Sequence, residues 1–231
     1  MSEGKHAEMV KKLISKKRET GYDESAFAEE YWTAKPTTKH LARIDKDASQ
    51  LINYFNVLFG IMGHKGTILD VGAGAGSNVS QMKRAGFDTQ GCEFSASGRK
   101  LAKERFGIEM PYCDLRDKLP YEDNAFDWAY CVGVLSMIPI DKMEHAVKEI
   151  FRVIKKGVLI NVETAVIITK SEKTYVNPHH LTALPAIEYW KIFKKCKLID
   201  ATAILPPQKL KFGIGLVNEF SGLFLKGKVG R

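Results

Sequence analysis

The spacing of apolar positions divides this chain into three zones. Across residues 37–62 the apolar side chains fall at Leu41, Ile44, Ala48, Leu51, Ile52, Phe55, Leu58, Phe59 and Met62. Steps of three and four residues draw one stripe along a helix, and Thr37 or Thr38 can cap its start. The period then changes. Between residues 67 and 165, TILDV, TQGCEF, MPYCDL, FDWAYCVGV and GVLINVE are short β-prone runs, while SNVSQMKRAG, SGRKLAKERFG and MEHAVKEIFRVI have helical spacing. Strands alternating with helices predict a parallel sheet. Runs that are apolar on both faces predict that helices cover both sides of it. After residue 166, PAIEYWKIFKKC predicts a helix, and KLIDATAIL and SGLFLKGKV predict two strands, with Pro206 and Pro207 breaking the chain between them.

Composition agrees with a packed α/β domain. The chain has 231 residues, 45% of them hydrophobic. No apolar run approaches the roughly 18–20 residues that span a bilayer, and the basic N-terminus lacks the apolar core of a signal peptide. Cys92, Cys113, Cys131 and Cys196 form no CxxC pair. Three lie in strand-like runs, so we read them as buried thiols in a reducing, cytoplasmic setting. The net charge of +8 is uneven: residues 166–231 hold 11 Lys and Arg against 4 Asp and Glu, which is +7 of the total. Such a face can attract a phosphorylated substrate, nucleic acid or a membrane surface; a solvated lysine face is the plainer alternative.

The strongest local signal is ILDVGAGAGSNV. A strand ends at Asp70-Val71, glycines follow at 72, 74 and 76, and a helix begins near Ser77. Glycines permit positive φ and close backbone approach to a ligand, and in parallel α/β sheets ligands sit at the carboxyl ends of strands. A dinucleotide loop reads GxGxxG, but its third position here is Ser77. The spacing is GxGxG, with a carboxylate two residues ahead. That acid suits a ligand bearing ammonium and sulfonium groups better than a pyrophosphate. Glu93 ends the second predicted strand, 17 residues after Gly76, where a carboxylate can accept from both hydroxyls of a ribose. Its alternative role is as a helix N-terminal acid. Asp114 ends the third predicted strand, placed to accept from an adenine amino group, and the Leu115 amide can donate to the ring.

Together these motifs resemble the class I S-adenosylmethionine-dependent methyltransferases. ILDVGAGAG resembles the first motif of that family and GCEFS its ribose-binding acidic motif. CDLRDKLPYEDNAFDWAYCVGVL is similar to the run from the adenine contact through the fourth strand, and EIFRVIKKGVLINVET to the helix and fifth strand. The resemblance covers roughly residues 65–165. It implies a Rossmann-like, seven-stranded, mostly parallel sheet whose last strand, SGLFLKGKV, is antiparallel and lies beside KLIDATAIL. It also implies S-adenosyl-L-methionine as cofactor, held by Asp70, Gly72, Ala73, Gly74, Gly76, Glu93, Phe94, Asp114, Leu115 and Cys131. Residues 1–62 would form an N-terminal helical extension. Residues 63–231 would form the methyltransferase domain, with an acceptor-binding insertion at about 165–184. Two departures matter. Ser136 and Met137 stand where many relatives carry a Glu-His pair, and the (D/N)PP(Y/F) motif of amino-methylating enzymes is absent after the fourth strand, which argues against methylation of DNA base amino groups.

The acceptor side is read from TYVNPHHLTALPAIEYWKIF, which resembles a D-P-x-H segment ahead of a Tyr-Trp helix in small-molecule and glycan methyltransferases. His180 falls on the His of that pattern, and Asn177 replaces the acid. A hydroxyl acceptor benefits from a general base, and histidine suits neutral pH, so His180 is the candidate catalytic residue. His179, Glu163 and Tyr31 are candidate acceptor contacts; loop shaping, a solvated strand end and helix packing are their alternatives. The helix carrying Tyr189 and Trp190 is expected to wall the pocket, and Tyr31-Trp32 to close over the cofactor. No metal-ligand cluster has usable spacing. The leading expectation is methyl transfer to a small-molecule or sugar acceptor, at oxygen. An RNA methyltransferase using the basic C-terminal third is the second, and a binding module that lost its chemistry the third.

Overall fold

The computed structural model describes residues 66–163 continuously. Elsewhere it describes residues 29, 32, 52–53, 55–57, 166–168, 173–175, 182, 184, 186–196, 199–205, 210–212, 215–217 and 219–227. The continuous part runs β1 (Ile68–Val71), α1 (Ser77–Arg84), β2 (Thr89–Cys92), α2 (Ala96–Phe106), β3 (Phe126–Val132), a 3-10 turn (Leu135–Met137), α3 (Met143–Val153) and β4 (Ile154–Glu163). Then come β5 (Val166–Ile168), β6 (Lys173–Tyr175), α4 (Ala186–Lys195), β7 (Ile199–Leu205), β8 (Leu210–Phe212), β9 (Gly215–Val217) and β10 (Glu219–Lys226).

Six strands form the main sheet in the order β2-β1-β3-β4-β10-β7. β1 pairs parallel with β2 and β3, and β3 parallel with β4. β10 inserts antiparallel between β4 and β7. The alternating α/β fold and the antiparallel last strand therefore agree with the sequence reading. The strand count does not: among the described residues the sheet has six strands, not seven. The missing one is MPYCDL, reduced to a single parallel bridge between Glu93 and Tyr112. The cause is local. Pro111 has no N–H to donate to a ladder; its carbonyl accepts from the Glu93 amide at 3.2 Å, and the Cys113 amide reaches the Glu93 carbonyl at 3.3 Å. Pairing then stops because the Asp114 side chain turns the chain, accepting from the Arg116 amide at 2.8 Å. Asp114 thus follows a bridge instead of ending a strand. The small hairpins β5–β6 and β8–β9 were also not predicted.

Strand alternation sorts the core onto two faces. Leu69, Val71, Ala129, Cys131, Val158 and Ile160 pack with Val147, Ile150 and Phe151 of α3 and with Tyr189 and Phe193 of α4. Ile68, Trp128, Tyr130 and Leu159 face the other way, against Met82 of α1, Phe87 and Phe55. The Phe55 ring lies 5.9 Å from that of Tyr130 and 6.4 Å from that of Phe87. The described residues before position 62 (Glu29, Trp32, Ile52, Asn53 and residues 55–57) are all helical; the rest of the expected extension lies outside the described residues. All four cysteines are free and buried. No helix among the described residues is long and apolar enough to cross a membrane.

Candidate cofactor site

The site is assembled where β1, β2 and β3 end at the same edge of the sheet. Gly72, Gly74 and Gly76 have φ of 78°, 54° and 76°, the left-handed region that disfavours other residues. At Gly72 a side chain would also collide with Val134 of the segment after β3. Gly76 has a different use: it precedes α1 and lets α2 approach, since a Cβ there would lie 2.8 Å from that of Ala102. Ala73 is 8% exposed, packs against Val79, Ala102 and Ile108, and gives its amide to the Cys92 carbonyl at 3.0 Å. Ala73 and Gly76 therefore hold the loop, and the Gly72 amide adds a second bond to the Cys92 carbonyl at 3.0 Å.

Glu93 is held firmly and is only 7% exposed. Its Oε2 accepts from the Gly74 amide and its Oε1 from the Ser95 amide, both at 2.8 Å. Each oxygen keeps a further lone pair, so the pair can still accept from a diol. Burial pushes the Glu93 carboxyl above the ordinary glutamate range, partly countered by the hydrogen bonds from Ser95 and Gly74. Asp70 lies opposite Tyr130 in the β1–β3 register and is 2% exposed. Burial raises its proton affinity well above normal; the nearby Tyr130 hydroxyl opposes that and the charge of Glu93 adds to it. Asp70 Oδ2 and the Tyr130 hydroxyl nevertheless have no partner with hydrogen-bond geometry. Two buried carboxylates, the proton affinity of one raised by the charge of the other and one of its oxygens orphaned, suit a ligand bringing positive charge and hydroxyls. That is the chemistry of a sulfonium nucleoside, and these residues fit it.

Beyond Glu93, Ser95 caps α2 by accepting from the Gly98 amide at 2.9 Å. Arg99 donates to the carbonyls of Glu93 at 2.8 Å and Phe94 at 2.6 Å. Phe94 is half-buried and its ring lies 5.7 Å from Tyr112, which is 53% exposed. Leu115 turns its side chain into the core, as does Cys131; burial raises the Cys131 thiol pKa. For both, only the backbone is available to a ligand. Tyr31, His179 and His180 lie outside the described residues, as does the Glu163 side chain, although the Glu163 backbone pairs with Glu219.

The sequence reading missed Glu29. Glu29 accepts from the amides of Ala96 and, at 2.8 Å, Ser97, while its carbonyl accepts from the Ser97 hydroxyl at 3.1 Å. An acid thus occupies the start of α2. Burial works against its ionisation, but the bonds from Ser97 and Ala96 and the charge of Arg99 prevail, so its carboxyl sits below the ordinary range. Trp32 lies against Gly74, where the sequence reading placed an aromatic cover. Tyr189, expected as a pocket wall, is instead fully buried and donates its hydroxyl to the Thr182 carbonyl at 2.7 Å. Its signal was the pattern itself, since Tyr189 and Phe193 share one helical face.

Comparison with known proteins supports this picture. Residues 69–161 match the family described as "Methyltransferase domain". No curated protein matches the chain. Among solved structures, the chain is similar to a Thermotoga maritima S-adenosylmethionine-dependent methyltransferase described as a possible histamine N-methyltransferase. That match has 16% identity and a TM-score of 0.60, covering 89% of this chain and 100% of the other. It is also similar to the magnesium protoporphyrin IX methyltransferase of Synechocystis PCC 6803 with bound S-adenosylhomocysteine (12% identity, TM-score 0.60, 87% and 100% coverage). A third is a Haemonchus contortus phosphoethanolamine N-methyltransferase in complex with phosphomonomethylethanolamine and S-adenosylhomocysteine (16% identity, TM-score 0.56, 71% and 49% coverage). Residues 69–161 thus carry the match to the methyltransferase-domain family, and the fold is that of the class I S-adenosylmethionine-dependent methyltransferases.

Proposed function

We propose that this S-adenosylmethionine-dependent methyltransferase acts on a small-molecule or sugar acceptor, at oxygen. S-adenosylmethionine, when bound, supplies a methyl group on a positively charged sulfur. Glu93 would accept from the ribose hydroxyls, Asp70 would favour the positive charge, and the backbone at Gly72, Gly74 and Cys131 would border the amino-acid end. Phe94 and the Leu115 backbone would border the adenine. Trp32, seated on Gly74, would exclude water.

The observation that carries the acceptor reading is the anchoring of the segment ahead of α4. The Thr182 amide donates to the Ser136 carbonyl at 3.0 Å, and its hydroxyl to the Ile138 carbonyl at 2.6 Å. The turn after β3 and the stretch after β6 are thereby tied into one rim, which favours an enclosed acceptor over a long polymer. His180 is two residues before Thr182, a covalent reach of at most about 7 Å, so the same anchor supports its role as general base. Tyr31, His179 and Glu163 are the proposed acceptor contacts. Nucleic acid is the second reading, favoured by the +7 charge of residues 166–231. Several of those lysines have local partners: Lys191 meets Glu188 at 2.9 Å, Lys195 meets Glu144 at 3.0 Å, and Lys194 lies 4.6 Å from the Trp190 ring centroid.

The test is transfer of a radiolabelled methyl group into fractionated cell extract. Label in the small-molecule fraction, insensitive to ribonuclease, is expected. Label confined to RNA would overturn the small-acceptor reading.

A further inference from the structure

Asp114 is the residue the motif order assigns to the adenine amino group, yet its carboxylate is already engaged. Oδ1 accepts from the Arg116 amide at 2.8 Å and from Arg116 Nε at 2.9 Å. Oδ2 accepts from Arg116 Nε at 3.0 Å and from its terminal nitrogen at 2.7 Å. A carboxylate offers about four lone-pair sites; Arg116 brings three N–H groups to them, its Nε hydrogen shared between the two oxygens, in the forked geometry that makes such pairs strong. The pair is well shielded, with Asp114 7% and Arg116 26% exposed. Burial of this kind keeps water from loosening it.

The same guanidinium lies 5.0 Å from the Phe94 ring centroid. Phe94 in turn neighbours Tyr112, whose ring centroid is 5.4 Å from the Arg99 guanidinium. Two arginines and two aromatic rings therefore stand beside Glu93 and Asp114, a surface that recognises a flat base by stacking and cation–π contact.

Building on the cofactor reading above, we propose that Arg116 sets base specificity in this enzyme: by engaging both oxygens of Asp114 it weakens the acceptor for the adenine amino group and leaves the base to be held chiefly by its faces. The enzyme is then tolerant at the purine 6-position. A site built to hydrogen-bond that group would instead reject an analogue lacking it by orders of magnitude.

Calorimetry with S-adenosylhomocysteine and its 6-deaminated purine analogue tests this. The analogue removes the amino group and keeps the ring nitrogen that the Leu115 amide would meet. For the wild-type chain the two dissociation constants should agree within about 10-fold. Arg116→Leu releases Asp114, so discrimination against the analogue should rise to roughly 100-fold or more. Arg116→Lys, a charge without the fork, should fall between and carries the comparison if the leucine variant does not fold. A merely structural role for Arg116 would move both ligands together and leave the ratio unchanged. Wild-type discrimination of 100-fold or more overturns the proposal, as does a small ratio that stays small in both variants. Failure of the wild-type chain to bind either ligand would overturn the cofactor reading itself, and the proposal with it.

Discussion

Replacing Glu93 by alanine bears on the centre of the site. Two backbone donors, the amides of Gly74 and Ser95, rely on its oxygens at 2.8 Å each. Leaving a buried donor unpaired costs about 1–3 kcal/mol. Entry of water into the vacated space reduces that cost, and removing a charge near Asp70 offsets part of it. The expected net loss of stability is about 1–3 kcal/mol, read from urea unfolding without ligand. Separately, the ribose hydroxyls lose their acceptor, and affinity for S-adenosylhomocysteine should fall by about 1–3 kcal/mol, or roughly 5- to 150-fold. Calorimetry well below the unfolding temperature separates the two losses. Glu93→Gln should behave similarly, because one amide N–H of glutamine would face a backbone N–H where an acceptor is needed. A folded Glu93→Ala protein that binds S-adenosylhomocysteine within twofold of wild type would refute the assignment.

Gly72→Ala places a side chain on a φ of 78° and into Val134; it should cost about 1–2 kcal/mol from φ alone and abolish measurable cofactor binding, and an unperturbed affinity would contradict the loop geometry. Asp70→Asn should match or exceed wild-type stability at neutral pH. The fold raises the Asp70 pKa, so its ionised form costs stability above that pKa, and the advantage of the variant should fade as pH falls through it; a clear loss in neutral-pH unfolding midpoint would refute this, while cofactor binding should weaken. Arg152→Ala removes bonds to the carbonyls of Tyr121 at 2.8 Å and Leu119 at 3.0 Å and takes the guanidinium from Glu149, which keeps the Leu119 amide at 2.9 Å; denaturation should show a loss of about 2–4 kcal/mol, and an unchanged midpoint would refute it. Once an acceptor is known, His180→Ala should lower turnover by roughly 10²–10⁴ with cofactor affinity nearly intact, and a fully active variant rejects the base.

Much of the site was legible because strand ends carry their own marks. Asp70 and Glu93 follow apolar runs, and the glycines between them signal a backbone that must turn and approach a ligand. What escaped was decided by partners distant in sequence or by single atoms. Pro111 and the Asp114 turn cut a predicted strand to one bridge, although Met110, Cys113 and Leu115 give the run an apolar character. Asp114 matches its motif, but a residue two positions on determines whether its oxygens are available. Cys131 reads as a site residue by position, yet strand alternation turns its thiol into the core. β4 starts at Ile154, three residues ahead of the predicted Gly157, where Lys155 and Lys156 reach Asp127 of β3 at 3.9 and 3.5 Å. The hold of Glu29 on the start of α2 spans 67 residues of chain, and no local pattern announces it.

The most direct test is a crystal structure with S-adenosylhomocysteine. The account predicts both ribose hydroxyls on the Glu93 carboxylate, the nucleoside against Phe94, and the homocysteine end beside Gly72. Ligand bound elsewhere, or ribose hydroxyls away from Glu93, would contradict it.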